Sequence, residues 1–176
     1  IHRMRILVTG SRGQLGTHMS LLAPQSRHEW SFADVDELDI TDRQAVESFV
    51  NRHGIQLVVN CAAYTNVDKA ESDEAAAMRL NADAVGYLAD AMEAVGGSLI
   101  HISTDYVFGG TMYNIPCTED MAPNPTGAYG RTKLAGEEAA RRCSRTIILR
   151  TSWLYSEYGK NFLLTMRRLT AEKPQV

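Results

Sequence analysis

Short runs of β-branched and apolar residues alternate along this chain with longer stretches of helical periodicity, and this alternation limits the fold more than any other feature. Four runs are predicted as strands and a weaker run as a fifth: 5–9, 57–61, 98–103, 146–150 and, weakest, 30–33. Strands that alternate with helices form βαβ units, whose right-handed crossovers give a parallel sheet covered on both faces. The sequence therefore predicts an α/β fold with a doubly wound, Rossmann-type parallel sheet.

Helix signals fill the intervals between these runs. Thr41-Asp-Arg-Gln44 is a capping-box pattern that opens a helix through His53, and Gly54 closes that helix. Further helices are predicted over 73–95, from near 129 and from near 161. The one loop-rich interval, 109–127, separates the fourth strand from the helix near 129.

The segment Val8-Thr-Gly-Ser-Arg-Gly-Gln-Leu-Gly16 follows the first predicted strand and spaces its glycines three apart. Glycines there allow a tight strand-to-helix turn and close approach of a pyrophosphate, which the amides at the next helix N-terminus then face. The spacing differs from the usual G-x-G-x-x-G fingerprint, and no Gly-Lys-Ser/Thr follows, as a P-loop requires. By itself the segment indicates either a dinucleotide site or an ordinary glycine-rich turn.

Two charged residues near this loop favour different dinucleotides. Asp34 lies after the second strand, about 20 residues beyond the loop, where a carboxylate accepts the adenosine ribose hydroxyls and favours NADH. Arg12 lies inside the loop and would favour the 2′-phosphate of NADPH. Because the two effects partly cancel, the sequence predicts binding of both cofactors within about tenfold of each other.

Composition narrows the function classes. The chain has 176 residues, 44% of them hydrophobic, with a formal net charge of −3, which suits one well-cored domain over 1–176. The acidic balance argues against a nucleic-acid partner, and the sequence has neither a signal peptide nor an apolar run of the roughly 18 residues that a membrane span needs. Cys61, Cys117 and Cys143 lack metal-ligand spacing, so no metal or disulfide and a cytoplasmic location are expected.

Tyr129 and Lys133 are four residues apart at the start of a predicted helix, so both lie on one helix face. A nearby ammonium favours the phenolate and improves tyrosine as a proton shuttle. Tyr-x-x-x-Lys is common by chance and also fits a surface pair. It gains weight here because Thr104 ends the fourth strand and the glycine loop follows the first.

The order of these motifs resembles the extended short-chain dehydrogenase/reductases. Longer strings are similar to those of the dTDP-4-dehydrorhamnose reductases: DELDITD at 36–42, NCAAYTNVDKAE at 60–71, STDYVF at 103–108, YGRTKLAGE at 129–137 and RTSWLY at 150–155. The resemblance covers nearly the whole chain. It implies that NADPH or NADH reduces the C4 ketone of dTDP-4-dehydro-6-deoxy-L-mannose to dTDP-L-rhamnose, a precursor of cell-surface polysaccharide.

The resemblance also implies roles for individual residues. Tyr129 would be the general acid, Lys133 would hold the nicotinamide ribose and lower the tyrosine pKa, and Thr104 would hydrogen-bond the ketone. The sugar nucleotide would meet Thr104, Asp105, Tyr106 and Trp153. The loop and the resemblance together place Tyr129, Lys133 and these residues at the cofactor: Gly10, Arg12, Gly13, Gln14, Leu15, Gly16, Asp34, Asp39, Ile40, Ala62, Ala63 and Thr65.

Several alternatives stay open. The regulatory subunit of methionine adenosyltransferase resembles the same family and binds nucleotide without catalysis, so a regulator is the competing hypothesis. A related nucleotide-sugar reductase is another, whereas an epimerase or dehydratase is disfavoured because Asp105-Tyr106, and no Asp-Glu pair, follows Thr104. Chains of the family are longer, so we expect a truncated domain that lacks most of the substrate lobe. A homodimer is a further expectation.

Overall fold

The computed structural model describes residues 3–110 and 114–172, and its centre is a parallel sheet of five strands. The strands are β1 (Arg5–Thr9), β2 (Glu29–Ala33), β3 (Leu57–Asn60), β4 (Ser98–Thr104) and β5 (Thr146–Thr151). Their order in the sheet is β2-β1-β3-β4-β5, and every neighbouring pair is parallel. The predicted α/β fold is confirmed, and each predicted strand is present with boundaries that differ by at most one residue.

The strand order reverses direction at β1. The chain steps from β1 to β2 on one side and then returns past β1 to β3 on the other. The connections that leave the carboxyl ends of β1 and β3 therefore diverge and open a crevice between them, which is where ligands bind in sheets of this kind.

Seven α-helices connect and flank the strands in the described residues: α1 (Gln14–Leu22), α2 (Arg43–His53), α3 (Val67–Ser72), α4 (Glu74–Met78), α5 (Ala84–Ala94), α6 (Ala128–Ala140) and α7 (Phe162–Glu172). Short 3-10 turns lie at Ala23–Gln25 and Asp105–Phe108. The helices predicted near 129 and 161 are α6 and α7. Within the loop-rich interval 109–127, residues 111–113 lie outside the described residues.

The helix predicted over 73–95 is present but interrupted. Its first part is α4, capped by the Asp73 side chain, and its second part is α5; a π-helical turn, Arg79–Asp83, joins them. The prediction of one regular helix is therefore wrong in its middle, and α3, just before it, has no counterpart among the predicted elements.

The cap of α2 lies one residue later than predicted. Asp42, and not Thr41, is the N-cap, and its carboxylate accepts the backbone N–H groups of Gln44 and Ala45. The Thr41 hydroxyl instead donates to Asp39 at 2.7 Å. The predicted end is confirmed, because Gly54 adopts the left-handed conformation with φ 57°.

The two faces of the sheet are covered unequally. Residues from α2 and α5, including Val46 and Leu88, pack against Leu7 and Leu99 in the larger core, whereas Met19 of α1 packs on the opposite face. The crossovers from β2 to β3, from β3 to β4 and from β4 to β5 run in the same direction along the sheet. Because such crossovers are right-handed, their helices lie on the same side of the sheet. The expected cover of both faces is therefore confirmed, and among the described residues Ile147 of β5 is 56% exposed.

A glycine in α6 shows how tightly this helix fits the π-helical turn. A Cβ on Gly136 would overlap the backbone carbonyl oxygen of Asn81. Gly136→Ala should therefore lower the free energy of unfolding by about 1–3 kcal/mol, although the same change in an open helix usually stabilises. Gly86→Ala in α5 is the matched control, since the atoms nearest to its Cβ would belong to the flexible end of Arg142. Equal unfolding midpoints in urea for the two variants would contradict this fit.

Candidate active site

Every residue that the sequence predicts at a cofactor or substrate site lines one open cleft at the carboxyl ends of the strands. The cleft has a volume of about 1820 Å³, above the roughly 300–1,000 Å³ typical for a small ligand. It runs from the turn after β2, past the glycine loop, to the ends of β4 and β5. A space of this size and length suits a dinucleotide with a second ligand beside it.

The glycine loop lies directly against the end of β3. Gly10 has φ 62°, and a Cβ there would lie 2.6 Å from the Ala62 backbone nitrogen. A Cβ on Gly16 would lie 2.5 Å from the Gly10 carbonyl oxygen. Gly13 is the N-cap of α1, and in the described structure no side chain caps this helix. At its three glycines the loop therefore presents only backbone to the cleft, beside a helix N-terminus, as a pyrophosphate requires.

The turn after β2 surrounds Arg12. The Arg12 backbone N–H donates to Asp34 Oδ2 at 3.1 Å. The guanidinium donates from Nη1 to Asp36 Oδ2 at 2.5 Å and from Nη2 to Glu37 Oε1 at 2.6 Å. The hydrogen bond to Asp36 and the charge of Glu37 raise the pKa of Arg12. Farther along the same wall, hydrogen bonds from the Thr41 hydroxyl and backbone N–H lower the pKa of Asp39. The charge of Arg79 lowers it further.

Tyr129 and Thr104 lie together at the other end of the cleft. Burial raises the pKa of the Tyr129 phenol, and a hydrogen bond with Thr104 opposes this shift. The Thr104 hydroxyl donates to Asp105 Oδ1 at 3.1 Å and accepts the Tyr106 N–H at 3.2 Å. Ser152 donates to the second Asp105 oxygen at 2.8 Å. The pair is thus fixed to the turn after β4 and to the end of β5.

Lys133 lies one helical turn after Tyr129 and is almost completely buried. Its Nζ donates to the Ile102 carbonyl oxygen at 2.7 Å, and burial lowers its pKa to about 8, opposed by the charge of Glu137. The sequence predicts that Lys133 lowers the pKa of Tyr129. The net direction in the protein is the opposite, because desolvation of the phenol is the largest effect on it.

Three polar residues below the lysine were not predicted. Glu137 is 1% exposed, and Arg150 binds both of its carboxylate oxygens, with distances of 2.9 and 2.6 Å. Ser103 donates to the same carboxylate at 2.6 Å. Helical spacing was the available signal, because Tyr129, Lys133 and Glu137 repeat every four residues along α6.

A second polar chain supports the wall behind the cofactor loop. Thr9 donates to Asn60 Oδ1 at 2.6 Å, and the same oxygen accepts the Ala62 N–H at 3.3 Å. The Asn60 amide nitrogen lies 3.1 Å from Nδ1 of His101, whose pKa burial lowers to about 3. Neutral His101 and Asn60 therefore fix the start of the segment that follows β3.

Trp153 stands at the mouth of the cleft in an unusual conformation. Its φ is 54°, and the residue is 70% exposed. The next residues are fixed to the glycine-loop helix, since Gln14 Nε2 donates to the Leu154 carbonyl oxygen at 3.3 Å and Asn161 donates to Gln14 Oε1 at 2.9 Å. The segment after β5 is thus connected to the start of α1 through one glutamine side chain.

A family model described as the RmlD substrate binding domain matches residues 4–176. The chain belongs to this family. Among curated RmlD relatives, the dTDP-4-dehydrorhamnose reductase of Mycobacterium tuberculosis (strain CDC 1551 / Oshkosh) is 42% identical over 172 residues, which are 95% of this chain and 56% of the relative. The resemblance found in the sequence is thereby confirmed.

Solved structures agree with this assignment. A dTDP-4-dehydrorhamnose reductase from Clostridium acetobutylicum superposes with a TM-score of 0.92 at 42% identity, covering 96% of this chain and 60% of its own. The enzyme from Bacillus anthracis, in complex with NADP, gives 0.92 at 38% identity, covering 98% of this chain and 61% of its own. The chain thus spans less than two thirds of the proteins it matches.

Two further observations concern the described residues. None of their helices combines the length and apolarity needed to cross a bilayer. No cluster of three or more His, Cys, Asp or Glu side chains among them is arranged to hold a metal ion.

Proposed function

We propose that this chain carries the NAD(P)H-binding and catalytic cleft of a dTDP-4-dehydrorhamnose reductase. The observation that carries the proposal is the grouping of Thr104, Tyr129 and Lys133 in the same cleft as the glycine loop. The names of the relatives support the same reaction, the reduction of the C4 ketone of dTDP-4-dehydro-6-deoxy-L-mannose. The described residues 3–110 and 114–172 form the cofactor-binding part, and a cytoplasmic homodimer stays a prediction from the sequence.

The cleft fits a nicotinamide dinucleotide. The space that a Cβ at Gly10 or Gly16 would need is already filled by backbone, so the loop can follow a pyrophosphate closely. Asp34 lies at the end of β2, in the position of the carboxylate that receives the adenosine ribose, and Lys133 lies at the nicotinamide end. The bound cofactor, NADH or NADPH, supplies the hydride for the ketone carbon.

The side chains of the cleft supply the proton and hold the ketone. As the hydride reaches C4, the electrons of the C=O bond move to the oxygen, which takes the proton of the Tyr129 hydroxyl. The phenolate that remains regains a proton from solvent. Thr104, in contact with Tyr129, provides a second hydroxyl at the developing negative charge. Lys133 provides the cation that holds the ribose near the phenol.

The direct test measures oxidation of NADH and NADPH by the full-length protein with dTDP-4-dehydro-6-deoxy-L-mannose. Turnover that depends on this sugar is expected, with dTDP-L-rhamnose as the product. Tight cofactor binding without turnover would contradict the proposal and favour the competing regulatory-subunit hypothesis.

Cofactor affinity should depend on pH through Lys133. The lysine is charged below its pKa of about 8 and neutral above it, so affinity should fall as the pH rises past about 8. Titration of NADH fluorescence between pH 6 and 10 measures this. The Lys133→Met variant is the control and should show a nearly flat profile; an equally steep profile in that variant would assign the effect to another group.

A further inference from the structure

We infer that Asp36 and Glu37 set the preference of the cleft for NADH over NADPH by holding the Arg12 guanidinium beside the adenosine 2′ position. The inference rests on the proposed function, because it concerns the cofactor that the cleft takes. Arg12 and Asp34 alone favour opposite cofactors, whereas Asp36 and Glu37 shift the preference toward NADH.

Arg12 is the one residue of the glycine loop with a charge that can meet a 2′-phosphate. Its backbone is fixed beside the adenosine position by the hydrogen bond from its N–H to Asp34. Its guanidinium, however, is shared between two carboxylates at 2.5 and 2.6 Å. A 2′-phosphate would therefore have to share the arginine with two carboxylates that already hold two of its five N–H donors.

Glu37 is well placed to keep the arginine. While its Oε1 binds Arg12, its Oε2 accepts the Asp34 backbone N–H at 2.9 Å. The turn itself is closed by hydrogen bonds from the backbone N–H groups of Glu37 and Leu38 to the Asp34 carbonyl oxygen, at 3.0 and 2.8 Å. The carboxylate is thus fixed by the backbone that also fixes Asp34.

The charges around the 2′ position act in the same direction. Asp34, Asp36 and Glu37 contribute three negative charges and Arg12 one positive charge, so the group carries a net charge of −2. The neighbouring pair Asp39 and Arg79 adds no net charge. A phosphate monoester of roughly −1.5 to −2 is repelled by such a group, whereas a 2′-hydroxyl is not.

Asp36 and Glu37 act through Arg12 and not by contact. Arg12 and Asp34 line the cleft, whereas Asp36 and Glu37 are absent from its described lining. They are therefore positioning residues. Both are exposed on the turn, so neutral replacements should leave the fold intact.

The experiment compares the dissociation constants of NADH and NADPH by fluorescence titration of the full-length protein. The wild-type protein should bind NADH more tightly. In D36N/E37Q, NADPH should gain about tenfold relative to NADH, the sum of several exposed charge interactions that are each modest. The control E47Q/E138Q removes the same charge from two exposed glutamates outside the described cleft lining and should leave the ratio unchanged.

Arg12→Met tests whether Asp36 and Glu37 act by binding the Arg12 guanidinium or only through their own negative charge. In the wild-type background it should change the NADPH-to-NADH ratio by less than about threefold, because the arginine is already occupied. In the D36N/E37Q background it should remove most of the gain. A ratio that D36N/E37Q leaves unchanged, or a gain that survives Arg12→Met, would overturn the inference. Failure of the wild-type protein to bind either cofactor would instead overturn the proposed function.

Discussion

Tyr129→Phe is expected to lower turnover at least about 10²-fold while cofactor affinity stays within about twofold. The substitution removes only the phenolic oxygen, which is the proposed proton donor to the ketone. The ring still packs at its edge against Tyr106, 5.3 Å between ring centres, so the wall of the cleft should persist. Steady-state kinetics with the keto-sugar and fluorescence titration of NADH measure the two quantities separately.

A matched control for this change lies elsewhere in the chain. Tyr87 of α5 carries its ring beneath the Arg43 guanidinium, 4.8 Å from its centroid, and it is outside the described cleft lining. Tyr87→Phe keeps that contact and should keep full turnover. Turnover near the wild-type value in Tyr129→Phe would refute the role of the phenol as the acid.

The sheet was predictable because its signals are local. Each strand is a short apolar run, and the glycines of the first loop are read from seven consecutive residues, 10–16. Which helix lies on which face of the sheet was less predictable, because this depends on the order of the strands. That order sends α2 and α5 to one side, and no residue near either helix encodes it.

The interruption at Arg79–Asp83 shows a tertiary contact that changes a regular helix. Asn81 accepts the Tyr64 N–H at 2.8 Å and donates to the Tyr64 carbonyl oxygen at 3.1 Å and to Thr132 at 3.1 Å. The π-helical turn places this side chain between two distant segments, and the hydrogen bonds offset the irregular backbone. Alanine-rich sequence around it predicts an ordinary helix, so the sequence carried no local sign of the turn.

The candidate site was predictable for residues that stand in motifs and not for their partners. Tyr129 and Lys133 are visible as a spaced pair, and Asp34 by its distance from the loop. The partners of Arg12 were overlooked because a balance between Arg12 and Asp34 considers one carboxylate, whereas the turn after β2 brings two more carboxylates to the guanidinium while Asp34 accepts the backbone N–H. Charge pairing across such a turn follows from side-chain geometry, which spacing does not give.

Lys133→Met should weaken cofactor binding about tenfold or more and lower kcat/KM at least about 10³-fold, because one ammonium serves both the ribose and the site of proton transfer. Methionine has similar length but no charge, so the hydrogen bond to the ribose is lost with the cation. Fluorescence titration of NADH and steady-state kinetics of the same protein give the two values. A turnover loss with cofactor affinity intact would contradict the double role.

The buried surroundings of Lys133 allow this loss to be separated from unfolding. Burial already lowers the lysine pKa to about 8, so the charge is held at a desolvation cost that a thioether does not have. Glu137 is not left as an unpaired charge, because Arg150 and Ser103 still bind its carboxylate. Ile102 loses one donor to its carbonyl oxygen, a cost of about 1–3 kcal/mol. The two changes oppose each other, so the urea midpoint should stay close to the wild-type value while binding and catalysis fall. A collapse of the midpoint would show instead that the ammonium is needed for the fold.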